Sequence, residues 1–369
     1  MMIDRRLVEY FDWWMLALVM AVAALGLVAL YSAVHAGGST TQAGLFTKQL
    51  IWYGAGTVVM IVAFLIDYKN YERWAHIYYL FCIAMLVAVL LFGRYVAGSK
   101  RWLSFGPASI QPSEMVKLAV ILVLAKYYAR VARTEGIHIR ELLTPFVLTA
   151  IPFILVVRQP DLGTAMIVAL IAGSITLYVK IERRTLIFLV ASCALAVPVV
   201  WSFLKGYQKQ RILTFLNPDR DPLGAGYHII QSKIAIGSGM LVGKGFLRGT
   251  QNALDFLPEQ HTDFIFSVLA EEWGLVGTML VLLFFMLLII GGLRIAQRSR
   301  DPFGTILAVG VTLMIAWQVF INMGMVMGLL PVVGVTLPFV SYGGSSVITM
   351  MAGVGLLLNV SMRRFMFEQ

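Results

Sequence analysis

Charge is scarce in this chain. Across 369 residues, Asp, Glu, Lys and Arg make up only 13%, against about 25% in an ordinary soluble domain. Hydrophobic types reach 59%, and mean hydropathy is +0.83. No single water-soluble core of this length hides so much apolar surface, which excludes a soluble enzyme and a disordered chain. Cysteine is nearly missing. Cys82 and Cys193 lie in separate apolar runs, so no disulfide or zinc framework is encoded, and both read as small core hydrophobes. Histidine is equally thin: His35, His76, His138 and His228 have no partner pattern, and His261 has only Asp263 beside it. Two groups do not make a metal site. Asp219-Arg220-Asp221 is a lone acidic pair followed by Pro222-Leu223-Gly224, which reads as a turn.

What is present is a series of long apolar runs, each near the roughly 20 residues needed to cross a bilayer. Ten spans are expected: 12–34, 47–66, 74–92, 112–130, 143–158, 162–180, 185–204, 264–293, 303–330 and 341–361. The fold expectation is therefore an all-α integral membrane protein, one polytopic domain over 1–369. The first run is too long for a signal peptide, and nine more follow. The short fifth span forms a broken hairpin with the sixth around Arg158-Gln159-Pro160-Asp161.

Net charge is +10. In a soluble protein this would suggest nucleic acid, but here the cations sort by loop. Arg5, Arg6, Lys69, Arg73, Lys126, Arg130, Arg133, Arg140, Lys180, Arg183, Arg184, Arg294, Arg298, Arg300, Arg363 and Arg364 fall on one side; the short loops opposite hold Arg94, Lys100, Arg101 and Arg158. Positive residues stay inside, so both termini are expected in the cytoplasm, and segment 205–263 outside. That segment carries Ile229, Ile230, Ile234, Ile236, Met240, Leu241 and Phe246, punctuated by Gly237, Gly239, Gly243 and Gly245. It suggests amphipathic helices that lie on the bilayer or cap a cavity.

Ionisable residues inside spans are costly and mark function by default. Glu114 and Lys117, three apart on one helix face, can pair; either they neutralise each other, or Lys117 awaits a phosphate with Glu114 fixing it. Glu271 and Glu272 enter the eighth span before Trp273-Gly274, with polar contact between helices the favoured reading. Asp161 is either a helix N-cap or, with Arg158, an anion-binding corner. Asp263 stands at a helix start, where a cap is the bland reading and a carboxylate for the polar head of an amphiphilic substrate the sharper one. Leu337 to Ser346, rich in small residues including Ser341 and Ser345, breaks the chain before the last span and leaves backbone N–H groups to line a cavity. Gly243-Lys244-Gly245 is too short for a phosphate loop.

Taken together, these motifs resemble a known family. Lys100-Arg101-Trp102, Gln111-Pro112-Ser113-Glu114, Arg158-Gln159-Pro160-Asp161-Leu162-Gly163-Thr164-Ala165, Leu257-Pro258-Glu259-Gln260-His261-Thr262-Asp263-Phe264-Ile265-Phe266 and Pro338-Phe339-Val340-Ser341-Tyr342-Gly343-Gly344-Ser345-Ser346 are similar, in order and over essentially the whole chain, to the SEDS family (shape, elongation, division and sporulation). The short termini, Asn217 to Pro222, Gly243-Lys244-Gly245 and Glu271-Glu272-Trp273-Gly274 resemble its elongation branch, with the division branch the near alternative. The resemblance implies a GT-C-like fold with a large extracytoplasmic loop between the seventh and eighth helices. It implies a peptidoglycan glycosyltransferase in the bacterial cytoplasmic membrane that polymerises lipid II. Implied partners are a class B penicillin-binding protein, a transpeptidase, along with other elongation-complex proteins and membrane lipid; no nucleic acid is implied.

The family's essential aspartate matches Asp263. The donor linkage is α and the product β, so the resemblance implies a single inverting displacement. An inverting glycosidase needs a second carboxyl to protonate a poor leaving group, but pyrophosphate leaves readily. One carboxylate then suffices as general base. Cations must meet the departing diphosphate. The candidates are Lys117 first, Arg101 second, then Lys100, Arg158, Arg211 and Lys233, with a divalent ion as the alternative; no cofactor is otherwise implied. Glu114, Asp161, His261, Ser341 and Ser345 complete the expected substrate-binding set. Lateral apolar grooves should hold the polyprenyl tails. The rival classes are a lipid-linked precursor flippase, which needs polar groups down its whole length, and a non-catalytic scaffold.

Overall fold

A computed structural model describes residues 11–36, 43–96, 99–105, 108–131, 136–203, 206–217, 224–254, 256 and 259–363. The first helices are α1 (Trp13–His35), α2 (Ala43–Leu65) and α3 (Tyr68–Phe92). A small antiparallel sheet follows, in the order β1 (Arg94–Val96), β2 (Ser99–Phe105), β3 (Ala108–Ile110). Then come α4 (Pro112–Val131), α5 (Leu143–Arg158), α6 (Leu162–Tyr178) and α7 (Arg183–Phe203). Shorter helices α8 (Gly206–Leu216), α9 (Ala225–Ser238) and α10 (Thr250–Ala253) lead to α11 (Ile265–Arg298), α12 (Pro302–Val326) and α13 (Gly344–Arg363). A helix occupies each stretch expected to be a span. Among the described residues, seven helices are long and apolar enough to cross a membrane. The sheet is the departure from an all-helical expectation, and it carries Lys100, Arg101 and Trp102.

Aspartates open several helices. Asp12 accepts the Met15 amide, Asp67 that of Lys69, Asp161 that of Thr164, and Asp301 that of Gly304 ahead of Pro302. Each satisfies an N–H group that has no carbonyl partner within its helix. Buried side chains concentrate on α4, α12 and α13, which form the centre of the bundle. One helix end is closed from a distance. Asn359 on α13, fully buried, donates to the carbonyls of Ala63, Phe64 and Ile66 at the end of α2 and accepts the Tyr68 amide. Cys82 sits in the core as a free thiol; the Cys193 side chain falls outside the described residues.

The eighth expected span is not one continuous helix. Gly274 interrupts α11 with φ 64° and ψ −159°. The backbone groups freed by the break pair with segment 240–245. Leu275 and Val276 amides donate to the Met240 and Leu241 carbonyls, and Lys244 and Gly245 amides donate to the Glu271 and Glu272 carbonyls. Only glycine fits opposite: a Cβ on Gly243 would stand 2.1 Å from the Glu272 carbonyl oxygen. Segment 240–245 is therefore packed into the bundle rather than lying free on its surface. Ser232 on α9 joins the Ser267 hydroxyl at 2.8 Å and donates to the Val326 carbonyl at 2.6 Å, so α9 caps the ends of α11 and α12. Asp219, Arg220 and Asp221 fall outside the described residues.

Replacing Asn359 with Leu strands buried carbonyls, each worth about 1–3 kcal/mol. Thermal unfolding in detergent should show a clearly lowered midpoint for Asn359→Leu with helical content retained; an unchanged midpoint would contradict this capping role.

Candidate active site

Two loops meet at the head of the bundle. One is 259–264, leading into α11; the other is 331–343, between α12 and α13. The Ser341 hydroxyl donates to the Thr262 carbonyl at 2.6 Å and accepts the Leu337 amide at 2.8 Å. The Tyr342 amide donates to the His261 carbonyl at 2.9 Å. From α2, Gln49 donates to the Ser341 carbonyl and accepts the Gly343 amide, and the Tyr53 hydroxyl donates to the Phe339 carbonyl. From α12, Asn322 donates to the Asp263 carbonyl at 2.9 Å and the Val335 carbonyl at 2.7 Å.

These contacts hold the Asp263 backbone while leaving its side chain unbound. Phe264, not Asp263, occupies the N-cap position of α11, and no side chain caps that helix. The cap reading is therefore corrected: among the described residues the Asp263 carboxylate accepts no hydrogen bond. It is half-buried. Desolvation, then the nearby Glu259 carboxylate and Asp161, push its pKa up to about 6, against the pull of Arg101 and Arg211. Gly334, at φ 72°, forms one wall of its setting: a Cβ there would lie 3.3 Å from Asp263 Oδ2. His261 lies two residues before it, its ring centroid 5.9 Å from that of Tyr342; burial lowers its pKa.

Asp161 has the opposite fate. Its carboxylate caps α6 through the Thr164 amide and also accepts Thr164 Oγ1 at 2.9 Å, Gln111 Nε2 at 3.1 Å and Ser113 Oγ at 3.3 Å. Its cation is Arg101, 3.9 Å away, whose guanidinium also donates to the Pro160 carbonyl. The expected Arg158–Asp161 corner is thus corrected: Arg158, at the end of α5, is exposed, and β2 delivers the cation instead. Lys117 is buried and bound to Glu114 at 2.8 Å, so its charge is already neutralised within α4. Arg101 and Arg211 are the cations that act on Asp263. Lys100 lies on β2 beside Arg101. Lys233 is exposed and lies across Gly328. Ser345 accepts the Gln111 amide at 2.9 Å and docks α13 to the start of α4.

Glu271 and Glu272 are both buried and structural, as expected. Glu271 accepts Lys244 Nζ at 2.6 Å and the Thr250 amide at 2.8 Å, and Glu272 accepts the Ser32 hydroxyl from α1. An apolar cavity of about 370 Å³ opens between α2, α3, α4 and α13, lined by Trp52, Val59, Met115, Leu118, Ser345 and Ile348. A second, of about 830 Å³, lies between α5, α6 and α7 at the opposite end of the bundle, near Leu142 and Ile181. Among the described residues, no three His, Cys, Asp or Glu side chains gather as metal ligands. Asn322, Gln49 and Gly334 did not stand out in the sequence. The signal for Asn322 was available: an Asn amide inside an apolar run needs a partner.

Breaking the Glu114–Lys117 pair from one side leaves an uncompensated buried charge, at about 3–5 kcal/mol. Glu114→Gln and Lys117→Met should each lower the melting midpoint more than the double variant does; additive losses would contradict mutual neutralisation.

With this geometry in place, the likenesses are specific. The model of the FtsW/RodA/SpoVE family, cell cycle proteins, matches residues 12–365. The chain is 44% identical over 362 residues to the peptidoglycan glycosyltransferase MrdB of Escherichia coli K12, covering 98% of this chain and 96% of that one. Its structure is similar, with TM-score 0.82 and 32% identity over 96% of this chain and 98% of the other, to a chain of a peptidoglycan synthase complex solved for its coordination of polymerization and crosslinking. It is also similar to the rod shape determining protein RodA of Thermus thermophilus, with TM-score 0.70 and 28% identity over the same shares.

Proposed function

The chain belongs to the FtsW/RodA/SpoVE family of cell cycle proteins and is a multi-pass membrane peptidoglycan glycosyltransferase; we propose that Asp263 carries its chemistry. The observation that supports this is a carboxylate with a fixed backbone, no hydrogen bond to its oxygens among the described residues, and a pKa pushed up to about 6. A general base works best when its pKa approaches the operating pH. An ordinary surface aspartate near 3.8 would hold a proton too weakly to pull one from a sugar hydroxyl.

The substrate is lipid II. The 4-hydroxyl of an acceptor GlcNAc attacks the anomeric carbon of the donor sugar, and the bond to the undecaprenyl pyrophosphate oxygen breaks with inversion. The hydroxyl proton passes to an Asp263 oxygen; the electron pair leaves on the diphosphate. Arg101, already oriented by Asp161 and the Pro160 carbonyl, and Arg211 meet that developing charge. Arginine suits this role because its planar fork matches phosphate oxygens. The cavity between α2, α3, α4 and α13 is almost wholly apolar and adjoins Ser345, as a groove for one polyprenyl tail requires.

The elongation-type activity is favoured by the MrdB and RodA relatives. The chain would lie in the bacterial cytoplasmic membrane with both termini inside and 205–263 outside. It would work with a class B penicillin-binding protein, in line with the synthase complex that its structure resembles. A flippase would need polar groups along a path through the bundle; here the candidate site residues Asp263, Arg101 and Asp161 lie together at its head.

The test is glycan polymerisation by the purified chain with labelled lipid II, with and without its transpeptidase. Asp263→Asn should abolish polymer while leaving the melting midpoint unchanged or raised, because a half-buried carboxylate without hydrogen-bond donors destabilises the fold once ionised. Normal polymer from a folded Asp263→Asn protein would remove Asp263 from the reaction. The raised pKa also sets a pH profile: Asp263 is protonated and idle below about 6 and competent above it, so kcat/KM should fall through an acid limb near that value. Glu259→Gln removes a like charge and should move the limb to lower pH; a move upward would contradict the electrostatic reading.

A further inference from the structure

Asn322 has no part in the reaction just described, yet it is fully buried on α12 and touches the Asp263 main chain. Its neighbours explain why an amide stands there. At the head of α11, the Ser267 amide bonds to the Phe264 carbonyl at 2.9 Å. The regular helical pairing would have sent it to the Asp263 carbonyl four residues back, which is thus left over. The Val335 carbonyl, just past the positive-φ turn at Gly334, is buried in the facing loop. Asn322 Nδ2 places one hydrogen on each, at 2.9 and 2.7 Å. Because both contacts are carbonyl oxygens, the amide orientation is fixed by chemistry: only nitrogen can donate. Asn322 Oδ1 is buried without a protein partner among the described residues, so donation alone anchors the side chain.

One nitrogen therefore ties the residue that bears the carboxylate to the residue next to Gly334, and Gly334 is the wall that approaches Asp263 Oδ2. We propose that Asn322 is the positioning residue for Asp263, fixing the gap between its carboxylate and the Gly334 wall where the acceptor hydroxyl must fit. This rests on Asp263 as general base. Asn322 touches no reacting atom; it acts through the backbone of the residue that does. The groups that face Asp263 are Glu259 on its own loop, Arg101 on β2, Asp161 at the head of α6 and Arg211 on α8. None bonds to Asn322, so removing the amide changes the position of the carboxylate before it changes those charges.

The experiment uses the full chain with lipid II and compares Asn322→Leu, which keeps the size and loses both donors, with Asn322→Gln, which keeps them. A misplaced base should lower kcat by about tenfold to a hundredfold in Asn322→Leu while the KM for lipid II stays near wild type. The acid limb should move to lower pH as the carboxylate relaxes toward water, and Asn322→Gln should recover part of kcat. If Asn322→Leu fails to fold, Asn322→Ser, with one donor, carries the same two readouts. An unchanged kcat and acid limb in a folded variant overturns the proposal, as does a loss of kcat with the limb unmoved, which marks a purely structural residue. Asp263→Asn, run alongside, separates the two ideas. If it polymerises normally, the general-base reading falls; if it is inactive while Asn322→Leu behaves as wild type, only the positioning inference falls.

Discussion

The structure depends on how it treats one carboxylate. Asp263 lies where two loops are stitched together through backbone groups: Ser341 to Thr262, Tyr342 to His261, Asn322 to both Asp263 and Val335. Every one of those bonds fixes main chain and none reaches the Asp263 side chain. No donor among the described residues reaches this half-buried carboxylate, and burial together with the Glu259 charge raises its proton affinity. A raised proton affinity is what the proposed general base would need.

Asp161 shows how differently the same residue type can be used a short distance away. It is bonded by Thr164, Gln111 and Ser113 and paired with Arg101. It stabilises a helix start and orients a guanidinium. In the proposed mechanism the two aspartates would divide the labour of an inverting displacement of a good leaving group: Asp161 would organise the cation that receives the diphosphate, and Asp263 would take the proton. The remaining buried charges are self-contained. Glu114 holds Lys117, Glu271 holds Lys244, and Glu272 meets Ser32, each answering the low dielectric with a partner.

The segment between α9 and α10 is bound to this site mechanically. Gly274 breaks α11, and segment 240–245 completes the broken backbone. The short first part of α11, with Asp263 at its head, is thus held by segment 240–245 at one end and by Asn322 at the other. Irregular backbone of this kind survives at membrane depth only where protein satisfies it.

The sequence by itself determined the membrane class, the positions of the helices and the family. Apolar run length and scarce charge are local properties that the bilayer reads directly. It also singled out Asp263, Arg101 and the Glu114–Lys117 pair, because ionised groups in apolar surroundings are conspicuous. It left Asp161 open between a helix cap and an anion-binding corner with Arg158, and Asp263 open between a cap and a carboxylate for a polar head group. Those questions turn on which carbonyl or guanidinium arrives from segments far along the chain: Asn322 lies 59 residues from Asp263 and Arg101 comes from a strand that helical periodicity does not reveal. Only the tertiary structure decided them, since a side chain's charge state and hydrogen bonds belong to its neighbours in space, and in this fold those neighbours come from β2, α6, α8, α12 and two loops.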